Sequence, residues 1–426
     1  MTERAPAIET QSYATDAALL AELRAAWPPE PAPDDARGFV TRSLEDLLPD
    51  AALRLGGSYA IALVPEPDDT GAFAVVPLVR REWLVTSWRH ATAGDGLSAF
   101  IAGAPAASER SIAADQTNAS VIVGERAIVK WFRRVGPGPS RASTLLAHLD
   151  AVGFPEVPTP LGLMAWSRPD GPDLTIAHGD VYLPEAVDGW EWCLARLERH
   201  VGHATDACPD GCDPWIGGPL GRLVARLHAA LATPSAVIRD PVATAPPAVV
   251  ADWHHAAVRT LEAALAVDTP EGIRAIEAAI RRDLEALPTD RPTRIQPVHG
   301  DLHVGQVLEW SGGLAVIDFD GNPALGPDSN AIAQAVERDV AQMLSSLDHL
   351  GRVVEERTDG AARGVIDAWI ERARGDFLAA LDRAPDPVLV AAFEAEQELR
   401  ELVYAARFLP RWRYAPLATL GARYGG

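Results

Sequence analysis

The segment "VHGDLHVGQVLEWSGGLAVIDFDGNP", residues 298–323, sets Asp301, Gln306, Asp318 and Asp320 close together in the chain. Phosphoryl transfer is the chemistry this set suits. A hydroxyl nucleophile needs a carboxylate beside it to accept its proton and orient it. A metal between nucleotide phosphates needs hard oxygen ligands held rigidly. A tight loop, "HGDLHVGQ", supplies the base Asp301 and, at the fifth residue after it, the amide oxygen of Gln306. The buried-type strand "LAVIDFDG" ends in Asp318 and Asp320 and supplies further metal ligands.

Such a site also requires a lysine on an upstream strand, reaching the α and β phosphates. The chain has 38 Lys and Arg residues, and one of them is a lysine, Lys130 in "RAIVKWFRR". Where this sequence wants a generic positive charge it uses arginine. An ammonium is a compact point charge on a thin stem, and a guanidinium is a broad fork that does not fit the same slot. The order is lysine strand, then catalytic loop, then metal strand. Protein kinases show that order, with H-R-D-x-x-x-x-N followed by D-F-G. His299-Gly300-Asp301 stands for the first, Gln306 for its Asn, and Asp318-Phe319-Asp320-Gly321 for the second.

The elements that position these residues follow from periodicity. "SVIV" and "AIVKWF" flank "GER" as a hairpin, with Lys130 on one face and Val129 and Trp131 on the other. "GSYAIALVPEPDDTGAFAVVPLV" reads as an earlier hairpin, and a soft boundary falls near residue 110. "TLLAHLDAVG" is a short helix stopped by Gly153. Beyond residue 190 the pattern is mostly helical. In "LGRLVARLHAAL", Leu220, Leu223, Val224, Leu227 and Leu231 share one face, with His228 beside the stripe in a structural role. Trp190 and Trp192 are expected to pack the junction between lobes.

At 426 residues, two or three lobes are expected. A net charge of -21 argues against nucleic acid as a partner and is compatible with a cationic small ligand. No apolar run reaches the roughly 18 residues of a membrane span. The start "MTERAPAIETQ" lacks a signal-peptide pattern, and three cysteines are too few for a disulfide framework. The expectation is a soluble cytoplasmic protein, monomer or homodimer. His200, His203, Cys208 and Cys212 are loosely metal-like in spacing but match no zinc pattern.

"HGDLHVGQ…VIDFDG" with "VKWFRR" resembles the aminoglycoside-phosphotransferase-like kinases, and within them the maltokinase group. "QTNASVIVGERAIVKWFRRVGPGP", "GFPEVPTPLG", "EAVDGWEW" and "ELVYAARFLPRW" extend the resemblance over residues 116–416. It implies an α+β, bilobal protein-kinase-like fold. A β-rich cap subdomain would occupy residues 1–110, the kinase N-lobe 111–185 and a mostly helical C-lobe 186–426. It also implies ATP, Mg²⁺ and a small sugar as acceptor. Carried over residue by residue, Asp301 is the base, Gln306 and Asp318 bind Mg²⁺ with Asp320 beside them, and Lys130 binds phosphates. Asn118 and Ser120 lie where the phosphate-covering hairpin belongs. The Glu that suits pairing with the lysine in maltokinases is missing from "PGPSRAST".

The acceptor is expected along "FEAEQELRELVYAARFLPRW". Leu399, Leu402, Val403 and Ala406 make a buried face. Glu394, Gln397, Glu398, Glu401 and Tyr404 lie opposite. The maltokinase pattern has a Lys where Gln397 stands and an Ala where Glu398 stands, while Glu401, Tyr404 and Trp412 match it. Carboxylates complement an ammonium, and Trp412 can lie against a sugar ring, with His303 shaping the same pocket. This points to an amino sugar, glucosamine, and to the glucosamine-kinase branch of the group. Maltose or an aminoglycoside as acceptor and a non-catalytic binding module are the alternatives.

Overall fold

Among the described residues, strands dominate up to residue 181, with three helices among them, and helices dominate after it, with five short strands among them. The computed structural model describes residues 9–29, 47–56, 58–67, 71–80, 87–105, 108–112, 118–136, 140–203, 212–267, 272–322 and 331–425. The chain divides into two units, Met1–Pro184 and Glu185–Gly426.

The first unit opens with β1 (Glu9–Ala14), α1 (Ala17–Ala25), β2 (Ala51–Gly56), β3 (Tyr59–Pro65), β4 (Phe73–Arg80) and β5 (Trp88–His90). α2 (Leu97–Ile101), β6 (Glu109–Ser111), β7 (Ala119–Val123), β8 (Ala127–Trp131) and β9 (Arg134–Val135) follow. α3 (Arg141–Val152), β10 (Pro160–Ser167) and β11 (Leu174–Val181) complete it. One sheet runs β1-β10-β11-β8-β7-β6, with β1 parallel to β10 and the other pairs antiparallel. The second runs β2-β3-β4-β5, with β9 also on β4. Val121, Val129, Trp131 and Ile176 of the first sheet and Leu53, Ile61 and Leu63 of the second share one core. Leu19 and Leu23 of α1 cover the other face of the second sheet, against Val76, Leu78 and Trp88.

The boundary expected near residue 110 is crossed by the hydrogen bonding. β6 spans it and pairs with β7, β1 joins the later sheet, and β9 joins the earlier one. The physical reason is that the two sheets share one apolar core, so strand pairing follows that common core and not the change in composition.

The second unit begins with α4 (Gly189–Gly202), α5 (Gly217–Leu231), β12 (Ala243–Ala245), α6 (Pro247–Val267) and α7 (Glu277–Glu285). The short strands β13 (Thr293–Pro297), β14 (Val307–Trp310), β15 (Gly313–Val316) and β16 (Ala333–Gln334) come next. α8 (Glu337–Arg357), α9 (Arg363–Ala379), α10 (Pro387–Phe408) and α11 (Tyr414–Tyr424) end it. The apolar stripe of α5 is buried as its spacing predicts. α8 is its central helix, packed by α4, α9, α10 and α11 and buried along most of its length. Asp188 caps α4 by accepting the Glu191 N–H at 3.1 Å, and Asp386 caps α10 before Pro387. Among the described residues no helix is long and apolar enough to cross a membrane.

Candidate active site

The loop after β13 is held from below by one face of α8. Asp339, which is buried, accepts the His299 N–H on Oδ2 and the Gly300 N–H on Oδ1, each at 2.8 Å. His228 Nε2 lies 3.0 Å from the same Oδ2. One turn on, Gln342 accepts the Leu302 N–H at 3.0 Å and donates to the Gly300 carbonyl at 3.2 Å. Ser346 Oγ accepts the Val304 N–H at 3.2 Å. Residues 339, 342 and 346 thus satisfy four amides of a loop that has no ladder of its own. Burial alone would raise the Asp339 carboxyl. Its hydrogen bonds to His228 and to the Gly300 N–H, with the electrostatic influence of the neighbouring imidazoles, hold it below the ordinary aspartate value instead. Gly300 has φ +84°, a conformation that side chains disfavour. Across the loop, α4 starts so close that a Cβ on Gly189 would lie 1.7 Å from the Val304 carbonyl oxygen.

His299 is buried, its Nε2 2.9 Å from the Ile317 carbonyl, while its Nδ1 accepts the Asp301 N–H at 3.3 Å. That pairing fixes a neutral tautomer, and burial depresses the imidazole's pKa accordingly. Asp301 Oδ1 accepts Asn322 Nδ2 at 3.0 Å and Gln342 Nε2 at 3.4 Å. Its other oxygen is left for a reactant. Burial raises the Asp301 carboxyl to about 6; His299 and Arg400 pull it down, and Asp318 and Glu401 push it up. A carboxylate poised so near neutrality is suited to taking a hydroxyl proton. His303 sits at the head of a 3-10 turn, Val304–Gln306, its Nδ1 accepting the Gly305 N–H at 3.1 Å. Its Nε2 is 3.4 Å from Gln306 Nε2, and burial keeps it neutral as well.

The strand expected to end in Asp318 and Asp320 stops earlier, at Val316. Ile317 N–H bonds the Gln306 carbonyl at 3.0 Å, which draws the chain off the hairpin and onto the catalytic loop. Asp318 follows with φ +64°, rare for a residue with a side chain and common where geometry serves chemistry. Phe319 is buried against His299, ring centroids 4.7 Å apart, and leaves the Asp318 side chain exposed. Asp318 is close enough that its charge acts on both Asp301 and His303. No three His, Cys, Asp or Glu side chains converge as a self-contained metal site among the described residues. A Mg²⁺ bound through nucleotide phosphates and water needs only one or two protein oxygens. The oxygen-bearing side chains of Gln306, Asp318 and Asp320 fit that demand. Cys208 of the loose His/Cys cluster lies outside the described residues.

α10 corrects the expected acceptor face. Glu394, Glu396, Gln397 and Glu398 are all buried, whereas Val403 and Ala406 are only half-buried. Cations from elsewhere in the unit neutralise the glutamates. Glu394 meets Arg374 at 2.8 Å and Arg423 at 2.6 Å. Glu396 meets Arg338 at 3.0 Å and Arg400 at 2.8 Å. Glu398 meets His349 Nε2 at 2.8 Å. Despite burial, which acts in the opposite direction, the Glu398 charge and hydrogen bond raise the His349 imidazole to about 9, an imidazolium at neutral pH.

Glu401 differs from these three. It accepts Gln397 Nε2 on Oε1 at 3.1 Å and Trp412 Nε1 on Oε2 at 3.3 Å, both neutral donors. Trp412 lies edge-on to Trp190 at 5.9 Å and to His349 at 5.5 Å, and Trp190 lies 6.5 Å from His303. Trp190 and Trp192 belong to this one unit; Trp192 donates to the Val307 carbonyl at 3.1 Å. Tyr404 is exposed and packs on Phe408, away from this group.

In the first unit, Lys130 stands in register with Ser120 of β7 on one side and His178 of β11 on the other. Lys130 and Asn118 are buried and Ser120 is half-buried. His178 Nε2 is 3.1 Å from Asp180, which lies two residues along and therefore on the same face. β11, rather than α3, brings a carboxylate onto that face.

Asp339, Gln342, Ser346, His349 and Asn322 are the site residues that sequence reasoning passed over, and Trp190, expected at a junction between lobes, packs beside Trp412 and His303. The 3-4-3 spacing of Asp339, Gln342, Ser346 and His349, interleaved with Val340, Met343, Leu344, Leu347 and Leu350, was the available signal.

The site's loop and strand fall within a wider likeness. Residues 108–321 match the phosphotransferase enzyme family. A glucosamine kinase of Mycolicibacterium smegmatis is 37% identical over 408 residues, 87% of this chain and 96% of that one. A glucosamine kinase of Streptacidiphilus jiangxiensis is 37% identical over 406 residues, 86% of this chain and 89% of that one. A solved glucosamine kinase in complex with glucosamine, ADP and inorganic phosphate is 34% identical and superposes with a TM-score of 0.72 over 92% of this chain and 95% of that one. On both its catalytic loop and its length-wide relatives, the chain belongs to the phosphotransferase enzyme family.

Proposed function

We propose that this chain transfers the γ-phosphoryl group of ATP to glucosamine, at the primary 6-hydroxyl, the least hindered on the ring. The observation that carries the amino-sugar reading is Glu401. Of the α10 carboxylates described above, Glu394, Glu396 and Glu398 are matched by cations, whereas Glu401 is oriented by two neutral donors and keeps lone pairs for an ammonium. Trp412, which donates to Glu401, packs edge-on to Trp190, and Trp190 packs near His303 of the catalytic loop, so Glu401 lies on the same aromatic wall as that loop. Trp412 and Trp190 offer apolar faces to the sugar ring. The 34%-identical kinase solved with glucosamine and ADP supports the same acceptor and nucleotide.

Asp301 accepts the hydroxyl proton on the oxygen not occupied by Asn322 and Gln342. The sugar oxygen then bonds to the γ-phosphorus as the bond to the β-γ bridging oxygen breaks and ADP departs. Lys130 holds the phosphates, with Asn118 and Ser120 at the edge of the hairpin that covers them. Gln306 and Asp318, with Asp320 alongside, would hold Mg²⁺, which supplies neutralisation of the phosphate charge.

ADP release is measured against glucosamine, N-acetylglucosamine, glucose, maltose and kanamycin, with Asp301→Asn as the blank. Strong turnover with glucosamine and little with the others is expected. Glu401→Gln then raises KM for glucosamine about ten-fold or more, the worth of a charge-assisted contact, and leaves KM for ATP nearly unchanged. Turnover with maltose in preference to glucosamine, or equal effects of Glu401→Gln on both KM values, would overturn the reading.

A further inference from the structure

Beside His228 lies a cleft of about 300 Å³, walled by α5, β13, the start of α8 and the connection from α9 to α10. Phosphoryl transfer as derived above does not use it. Its floor is apolar, with Ala225, Val340 and Leu381. Its polar rim is Arg294, Arg383 and His228, opposed by Asp382. Arg294 is exposed and makes no ion pair among the described residues. Arg383 touches Glu337 at 3.5 Å, a long contact at an exposed guanidinium. Two guanidiniums gathered over an apolar floor stand out in a chain of net charge -21.

We propose that this cleft is a second binding site, for a small molecule with one oxyanion and a short apolar body, and that its occupancy steadies the catalytic loop. The oxyanion is a carboxylate or a phosphate ester, since guanidinium forks pair with both. With about 30 Å³ per water-sized group, the cleft holds about ten heavy atoms. The connection to catalysis is short. His228 spends Nε2 on Asp339, and the remainder of its ring faces the cleft. Asp339 in turn accepts the amides of His299 and Gly300, next to Asp301. A ligand packed against His228 restrains a side chain that contacts Asp339 directly.

The test is isothermal titration of the full chain, with ADP present so that the nucleotide site is filled, using phenyl phosphate, 3-phenylpropanoate and inorganic phosphate. Saturable binding of phenyl phosphate, 3-phenylpropanoate or both is expected, with inorganic phosphate about ten-fold weaker or more. The tighter of the two organic probes identifies the oxyanion. Arg294→Gln with Arg383→Gln weakens binding about ten-fold or more. Both side chains are exposed, so an unchanged melting temperature shows that the fold is retained. Arg294→Lys keeps the charge, loses the fork and falls between. Amide hydrogen exchange at His299 and Gly300 slows when the tighter probe is bound. No saturable binding, binding indifferent to the arginine substitutions, equal affinity for inorganic phosphate, or unchanged exchange at those two amides would each overturn the proposal. No readout depends on turnover, so the proposal stands or falls apart from the glucosamine reading.

Discussion

Asp339→Asn removes one charge and almost no volume, so its consequences can be worked from hydrogen bonds alone. The carboxylate accepts three donors, from His299, Gly300 and His228, at 2.8, 2.8 and 3.0 Å. An asparagine amide offers one oxygen. Whichever way it turns, its NH₂ faces a backbone N–H, and one loop amide is left buried without an acceptor, at about 1–3 kcal/mol. The bonds that remain fall from charge-assisted to neutral, about 0.5–1 kcal/mol each. The total is about 2–5 kcal/mol, concentrated within two residues of Asp301. The loop can relieve it only by moving, and Asp301 moves with it. Steady-state kinetics and urea denaturation should therefore show kcat down about ten-fold or more and unfolding free energy reduced by about 2 kcal/mol or more. KM for ATP should change little, because Lys130 and its hairpin are untouched. A variant with kcat within about a factor of two of the parent and an unfolding free energy within about 0.5 kcal/mol would refute the account of how α8 supports the loop.

Other perturbations test separate parts of the site. Because Asp301 must be ionised to accept a proton and its carboxyl lies at about 6, kcat/KM should fall about ten-fold per pH unit below that value; a profile flat down to about pH 5 would remove Asp301 as the base. The His349 imidazole is raised to about 9 from 6.5, so the stability it contributes is fully present below pH 6.5 and is lost as pH rises through about 9. Urea denaturation should show the parent losing stability over that window relative to His349→Gln; identical pH dependence would contradict the buried ion pair with Glu398. Gly189→Ala places a Cβ 1.7 Å from the Val304 carbonyl oxygen and should cost about 3 kcal/mol and much of kcat, whereas Gly202→Ala, with nothing within 4 Å at the end of the same helix, should be close to neutral by thermal melting and kinetics.

The parts of the site that read directly from the sequence are those whose chemistry is local. Asp301 and Gln306 lie in one loop, Asp318 follows one hairpin later, and Lys130 is marked by its rarity among arginines. Three-dimensional pairing hid the rest. α10 carries Glu394, Glu396, Gln397 and Glu398 in a pattern that reads as a solvated face. The residues that make burial tolerable, Arg338, His349, Arg374 and Arg423, lie 20 to 58 residues from their glutamates in sequence, on three other helices. The argument from Glu398 as a ligand for an ammonium therefore passes to Glu401. Asp339, Gln342 and Ser346 were obscured for the converse reason: polar residues on an inward helix face look like an error in an apolar stripe until the loop amides they serve are seen. The residue 110 boundary followed a change in composition, but strand exchange between sheets leaves no mark on composition.

The parallel pairing of β1 with β10 bears on association between molecules. Without β1, the sheet that presents Lys130 would end in β10, eight residues of "PLGLMAWS" with one row of backbone donors and acceptors open to any passing strand. β1 covers that row with "ETQSYA", a more polar strand. At the opposite margin β6 has three residues, two of them the charged Glu109 and Arg110. The Glu109 carboxylate is occupied by the amides of Gly94, Gly96 and Ala99. A sheet terminated in this way discourages intermolecular strand addition, so the segment before α1 protects the lysine-bearing sheet against aggregation without touching the lysine.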